Sequence, residues 1–144
     1  MTVSTIIARA TDFCEHHKYR LTEPRLRVLT LLVNEKKALG AYDILSLLTT
    51  RESKPKPPTI YRAIDFWLEH GFIHKVESTN AYLACAHDHC HGNFYLLICD
   101  QCEEVKELIV ESLPKTILSL LKKQEFSIRR SSTEVYGVCG QCAQ

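Results

Sequence analysis

Residues 57 to 85 read PPTIYRAIDFWLEHGFIHKVESTNAYLAC, and a change of period inside this stretch decides the fold. In its first half Ile60, Ile64, Trp67 and Leu68 recur at spacings of three and four, as on a helix with one apolar face, while Thr59, Arg62, Phe66 and Glu69 lie towards the other. The paired prolines suit a first helical turn, where a missing N–H costs nothing, and Gly71 suits the stop. In the second half two strand-like runs, 72–76 and 81–85, flank the turn signal Glu77-Ser-Thr-Asn80. The stretch predicts a helix over 57–70 followed by a β-hairpin.

Upstream, residues 3–17 carry Ile6, Ile7, Ala10, Phe13 and Cys14 at helical spacing, with Cys14 as a small core residue. Leu21-Thr-Glu-Pro-Arg25 opens a second helix, with Thr22 as N-cap, Glu23 at the positive end and Pro24 in the first turn. Leu26, Leu29 and Val33 mark its expected buried stripe. Gly40 separates it from a third, short helix over 41–50 that buries Ile44, Leu45 and Leu48. Between that helix and the one at 57–70 lies RESKPKPP, residues 51–58, a basic turn whose prolines keep their preceding residues extended. Helices followed by a hairpin, in this order, make a winged helix-turn-helix, with 41–50 and 57–70 as the paired helices and 72–85 as the wing.

Downstream, the apolar run 93–99 and the alternating run 103–108 flank Cys99-Asp-Gln-Cys102 and predict a second hairpin. Ser112 is the expected cap of a helix bearing Leu113, Ile117, Leu120 and Leu121, and 126–138 alternates as one or two strands ending at Cys139.

The net charge is only +1, but residues 1–76 carry +4 and the remainder −3, so the front half is suited to a polyanion. No apolar run approaches the roughly 18 residues of a membrane span, residues 1–20 are interrupted by charges, and a cytoplasmic location is expected. In that reducing compartment paired C-x2-C motifs point to metal or redox chemistry rather than structural disulfides.

Two ligand sets stand out. Cys99 and Cys102 are answered by Cys139 and Cys142, giving four thiols in two matched pairs, enough to close a tetrahedral Zn²⁺ cage. A second, mixed set comprises His74, Cys85, the run His87-Asp-His89-Cys90-His91 and Glu107. Thiolate plus imidazole favours Zn²⁺, whereas an Fe²⁺ or Mn²⁺ site is expected to use nitrogen and oxygen only. A zinc hydrolase with Glu107 as base would need an open fourth position, and no His-Glu-x-x-His, nucleophile motif or phosphate loop accompanies it. On the other half, Lys54 and Lys56 precede a helix N-terminus whose backbone N–H groups can meet phosphate. Arg62 can reach a guanine edge, Tyr42 or Tyr61 can touch sugar, phosphate or a thymine methyl, and Thr59 lies on the same outward face.

Arg20-Leu-Thr22 with Arg25, Ala41-Tyr-Asp-Ile-Leu45, Pro57-Pro-Thr-Ile-Tyr-Arg-Ala-Ile64, His74-Lys-Val-Glu-Ser78 and the paired C-x2-C motifs together resemble the ferric uptake regulator family, and within it the zinc-sensing members. The resemblance covers nearly the whole chain. It implies an α+β fold: an N-terminal winged helix-turn-helix with its hinge over 1–84, then a small zinc-stapled α/β dimerisation domain with an antiparallel sheet over 85–144. It also implies a homodimeric, non-enzymatic repressor of metal uptake genes that binds a palindromic double-stranded operator, with two zinc ions per subunit. The structural ion is assigned to the four cysteines. The regulatory ion is assigned to His74, Cys85, Glu107 and a histidine of the 87–91 run, with His91 as the choice and His89 as the alternative. An iron- or peroxide-sensing repressor of the same family is the other reading, a redox or peroxide sensor acting through Cys85, Cys90 or the zinc thiolates. The family's usual Leu-Thr-Pro-Gln-Arg reads here Leu21-Thr-Glu-Pro-Arg25, which still fits a first helical turn.

Overall fold

A computed structural model describes residues 2–87 and 92–144. The chain divides into two compact units, Met1–His87 and Asp88–Gln144.

The first unit runs α1 (Val3–His16), α2 (Glu23–Asn34), β1 (Leu39–Gly40), α3 (Ala41–Leu48), α4 (Pro57–Glu69), β2 (Ile73–Val76) and β3 (Ala81–Ala84). Its core is formed by Ala10 and Cys14 of α1, Val28, Leu29 and Leu32 of α2, Ile44 of α3, Ile60, Ile64 and Trp67 of α4, and Phe72, Ile73 and Tyr82 of the hairpin. Cys14 is in that core as expected, and burial pushes its thiol pKa up against the opposing pull of Arg25. The buried stripe of α2 is Val28, Leu29 and Leu32, with Val33 packed against the same core; the expected Leu26 is exposed, since helical spacing puts it to one side of that stripe. Phe66, expected on the outward side of α4, is buried against Trp67, Tyr19 and His70, with the Arg25 guanidinium 3.6 Å from its ring centroid.

Two helix ends in this unit use the same device. At α4, Gly71 takes φ 73°, its N–H donates to Leu68 O, and Phe72 N–H donates to Trp67 O at 2.9 Å. This pairing satisfies carbonyls that a helix end leaves without partners. At α1, Lys18 takes the left-handed position (φ 58°) and Tyr19 N–H donates to Cys14 O at 2.8 Å. The wing is a three-stranded antiparallel sheet in the order β1-β3-β2, with Ile73 opposite Ala84 and Val76 opposite Ala81. Two-residue β1, pairing Leu39 with Tyr82, was not legible as a strand because it is too short to show alternation.

The second unit runs β4 (Asn93–Cys99), β5 (Val105–Val110), α5 (Lys115–Lys123) and β6 (Ser132–Gly137). The β4–β5 hairpin is antiparallel as expected, but β6 joins the other edge of β4 in parallel, Phe94 opposite Ser132 and Cys99 opposite Gly137. The crossover through α5 brings the chain back in the same direction, so the sheet is mixed. The α5 helix starts later than expected: its N-cap is Pro114 rather than Ser112, and it buries no residue within the single chain. Ile117, Leu120, Phe126, Val135 and Val138 are all exposed apolar side chains of this unit. Among the described residues, no helix is long and apolar enough to cross a membrane.

Candidate metal centres and nucleic-acid interface

The four cysteines converge at one end of the β4–β6 strand pair. Cys99 closes β4, and Gly137, the last residue of β6, sits opposite it, so parallel pairing places the 139–142 turn beside the 99–102 turn. Asp100 N–H donates to Gly137 O at 2.8 Å and locks the two turns together. Each turn is a tight knuckle. Glu103 takes φ 61° and donates its N–H to Cys99 O, while Cys142 and Ala143 both donate to Cys139 O. The four sulfurs lie within 4.8 Å of one another, and Cys102 Sγ is 3.8 Å from Cys139 Sγ. A tetrahedral ZnS₄ centre with bonds of about 2.3 Å has sulfur–sulfur edges of about 3.8 Å, so the donor set fits that ion. The four thiols are electrostatically uneven. Backbone amides of Cys102, Cys139 and Gln101 bring the Cys99 thiol down to about 6. Among clustered thiols the opposite happens to Cys142, which hydrogen bonds with Cys139 and Cys102 push up to about 12.

The mixed set is built partly on the wing. Because Ile73 faces Ala84, the pleat puts His74 and Cys85 on the same side of the hairpin as a diagonal pair. Both are buried, His74 at 5% exposure and Cys85 at 0%, and their donor atoms lie within 4.8 Å. A buried imidazole beside a buried sulfur is a soft-donor pair suited to zinc. Metal binding here requires Cys85 as its reduced thiolate. Glu107 is on β5 of the second unit, opposite Leu96 and half-buried. His87 is exposed, and its carbonyl accepts a hydrogen bond from Arg9. His91, the alternative His89 and Cys90 lie outside the described residues.

The side chains expected to meet nucleic acid sit on α3, α4 and the turn between them. Tyr42, 80% exposed, is in the first turn of α3, and Tyr61 and Arg62 project from the second turn of α4. Thr59 is half-buried at the start of α4, and Lys54 and Lys56 are exposed before it, Lys56 as the N-cap. One expectation changes. Pro57 and Pro58 have no N–H to offer, and the Thr59 and Ile60 N–H groups both donate to Lys56 O. The first turn of α4 therefore offers fewer backbone donors to an anion than a helix start usually does, which leaves the exposed Lys54 and Lys56 side chains as the cationic groups beside it.

A residue the sequence reading missed shapes this surface. Arg27 of α2 donates through Nη1 to Ser53 Oγ and through Nη2 to Leu48 O, both at 2.6 Å. It thereby fills an open carbonyl at the end of α3 and holds the basic turn, which is closed on itself by Thr50 N–H to Ser53 O at 2.7 Å. The available signal was a lone arginine between the apolar Leu26 and Val28.

The Ferric uptake regulator family model matches residues 16–136. The chain is 41% identical over 144 residues to the Zinc uptake regulation protein of Escherichia coli (strain K12), covering 99% of this chain and 84% of that protein. It is also similar to a solved zinc uptake regulator complexed with zinc and DNA, at TM-score 0.89 and 41% identity over 99% of this chain and 96% of that one. A crystal structure of holo XcZur matches at TM-score 0.84 and 35% identity, covering 99% of both chains.

Proposed function

The chain belongs to the ferric uptake regulator family, and on that footing we propose that it is a cytoplasmic, zinc-responsive, homodimeric repressor of metal uptake genes. The winged-helix half, residues 1–84, binds a palindromic double-stranded operator, and residues 85–144 form the zinc-stapled dimerisation half. The observation that carries the choice of zinc is the buried His74–Cys85 pair, because a sulfur donor disfavours an iron or manganese site. The similarity to a regulator solved with zinc and DNA supports the same choice.

Two zinc ions per subunit are proposed. Cys99, Cys102, Cys139 and Cys142 hold the structural one, where four thiolates leave no position open for chemistry. His74, Cys85, Glu107 and His91, with His89 as the alternative to His91, hold the regulatory one. The bound ion supplies a shared point of attachment for donors from both halves. His74 and Cys85 at the wing and Glu107 in the dimerisation sheet, when joined through it, select the arrangement in which two α4 helices meet successive major grooves roughly 34 Å apart. Turning the population from mostly incompetent to mostly competent requires about 10⁴-fold tighter binding to the competent form, roughly 5.5 kcal/mol. Ligands recruited from two halves can provide that difference, since an arrangement that separates them offers an incomplete set. Reciprocity then requires operator DNA to tighten zinc binding by the factor with which zinc tightens DNA binding.

The test is Cys85→Ser and Glu107→Ala, each assayed under reducing conditions for metal content, dimerisation and operator binding. Each is expected to remain a folded dimer with one zinc per subunit while its DNA binding ignores added zinc. Wild-type zinc dependence in Cys85→Ser would remove both the site and the preference for zinc over iron.

The competing reading is redox sensing through the buried Cys85 sulfur. It requires operator binding by zinc-loaded protein to fall with mild oxidant and recover with thiol. Insensitivity to both excludes it.

A further inference from the structure

The side chain of Arg9, on α1, reaches the chain as it leaves the wing. Its Nη1 donates to the His87 carbonyl at 2.6 Å and its Nη2 to the Cys85 carbonyl at 3.3 Å, while its Cζ lies 5.1 Å from the Phe72 ring centroid. On the other side of the same residue, the Cys85 N–H donates to Phe72 O at 2.9 Å. Strand β3 ends at Ala84, so Cys85 and His87 lie beyond the ladder that orders the rest of the hairpin. The main chain of Cys85 is thus gripped from both directions, by Phe72 through its amide and by Arg9 through its carbonyl, and the next carbonyl but one is held by the same guanidinium.

A planar fork with donors at fixed spacing can hold two carbonyls at once and rest against an aromatic ring; an ammonium on a flexible stem cannot reproduce that geometry. The carbonyls of Cys85 and His87 are therefore constrained relative to each other and to α1. This fixes the direction in which the Cys85 side chain leaves the backbone, and hence its place beside His74. Groups that orient a metal ligand without touching the metal commonly change affinity by about 10- to 100-fold when removed.

We propose that Arg9 is a positioning residue for the regulatory zinc site, ordering the Cys85–His87 segment before metal arrives so that less conformational freedom is lost on binding. The inference rests on the reading of Cys85 as a regulatory ligand. It adds to the sensor a residue of the first helix, distant in sequence from every assigned ligand, and makes the zinc set-point adjustable without altering the ligands themselves.

The experiment compares wild type, Arg9→Ala, Arg9→Lys and Cys85→Ser, full-length and reduced, with the structural zinc retained. Regulatory zinc affinity is measured by competition with a chromophoric chelator in the absence of DNA, and amide hydrogen exchange is followed in protein lacking the regulatory ion. Arg9→Ala is expected to weaken regulatory zinc binding by about 10- to 100-fold. It should raise the zinc concentration for half-maximal operator binding in proportion, leave operator affinity at saturating zinc within about twofold, and speed exchange at the Cys85 amide. Arg9→Lys keeps the charge and the helix but loses the fork, so it should fall near Arg9→Ala in zinc affinity; it carries the test if Arg9→Ala folds poorly. Full recovery by lysine would show that only the charge matters and would overturn the proposal. If Cys85→Ser loses regulatory zinc while Arg9→Ala binds it as wild type does, the Arg9 inference alone falls. If Cys85→Ser keeps wild-type zinc affinity, the ligand reading fails and this inference falls with it.

Discussion

The indole Nε1 of Trp67 donates a hydrogen bond to the carbonyl oxygen of Arg25 at 2.8 Å, tying the buried face of α4 to the first turn of α2. Trp67 is fully buried, so the bond is made where an unpaired partner has no water to turn to. It sets how α4 lies against the core, and therefore how far its opposite face, with Arg62, projects. Trp67→Phe keeps an aromatic ring but loses the donor and some volume. It is expected to lower stability by about 2 to 4 kcal/mol, combining an unsatisfied carbonyl with a small cavity. Urea unfolding checks this; a change within about 0.5 kcal/mol would mean that the bond and ring volume contribute little.

Arg62 and Lys56 are expected to fail differently. Arg62→Ala should cost about 1 to 3 kcal/mol on the operator and relax preference at one position in each half-site. Lys56→Ala should weaken all duplexes alike and make binding less sensitive to salt. Because Pro57 and Pro58 offer no backbone donors at that helix start, Lys56 should carry more of the phosphate contact than a lysine beside an ordinary helix terminus. Equal losses for both variants on operator and random duplex would reduce Arg62 to a phosphate contact.

Cys102→Ser removes one corner of the sulfur cage, leaving the two knuckles joined by the end of the β4–β6 ladder, the Asp100–Gly137 bond and weak sulfur contacts. The second unit buries few of its own apolar side chains, so it has little else to fall back on. Loss of the structural zinc and of dimers at micromolar concentration is expected. Analytical ultracentrifugation with metal analysis decides it, and a zinc-free dimer would remove the structural role.

Proton release should report the uneven thiols. In metal-free protein Cys99, at about 6, is largely ionised at pH 7, whereas Cys142, at about 12, keeps its proton. Cys99 lies below its ordinary value of 9.0, so its ionisation favours the metal-free fold at high pH and that contribution disappears as pH falls through about 6. For Cys142 the sign is reversed: the favoured form is the thiol, fully present below 9.0 and lost as pH rises through about 12. Zinc requires all four as thiolates. The number of protons released on refilling the cage with excess zinc should therefore rise by about one between pH 7 and pH 5, as Cys99 becomes protonated. Calorimetry in buffers of different ionisation heat measures it, and a constant count would contradict the assignment of Cys99 as the ionised thiol.

Much of this was legible in the residues because the signals were local. The period change at Gly71, the paired C-x2-C motifs and the apolar face of α4 each depend on neighbours a few positions apart. The parallel docking of β6 did not show, since alternation tells which face a strand buries but not the direction of its partner. Phe66 was misplaced for a related reason: helical spacing locates one stripe, whereas Tyr19 and Arg25 arrive from a different part of the chain and cover a second. The same limit hid Arg9 and Arg27, whose partners are 76 and 78 residues away for the first and 21 and 26 for the second.

The parallel return of β6 also bears on how the protein is made. A nascent chain that has delivered Cys99 and Cys102 holds half a cage, and the other half arrives only after α5 and β6 have been synthesised and docked. A hairpin can close within a few residues, but this crossover cannot. A chain interrupted before Cys142 contains all of the winged-helix unit but lacks the fourth corner of the cage. On the proposed reading, in which the cage is needed for pairing, completion of synthesis would be coupled to assembly.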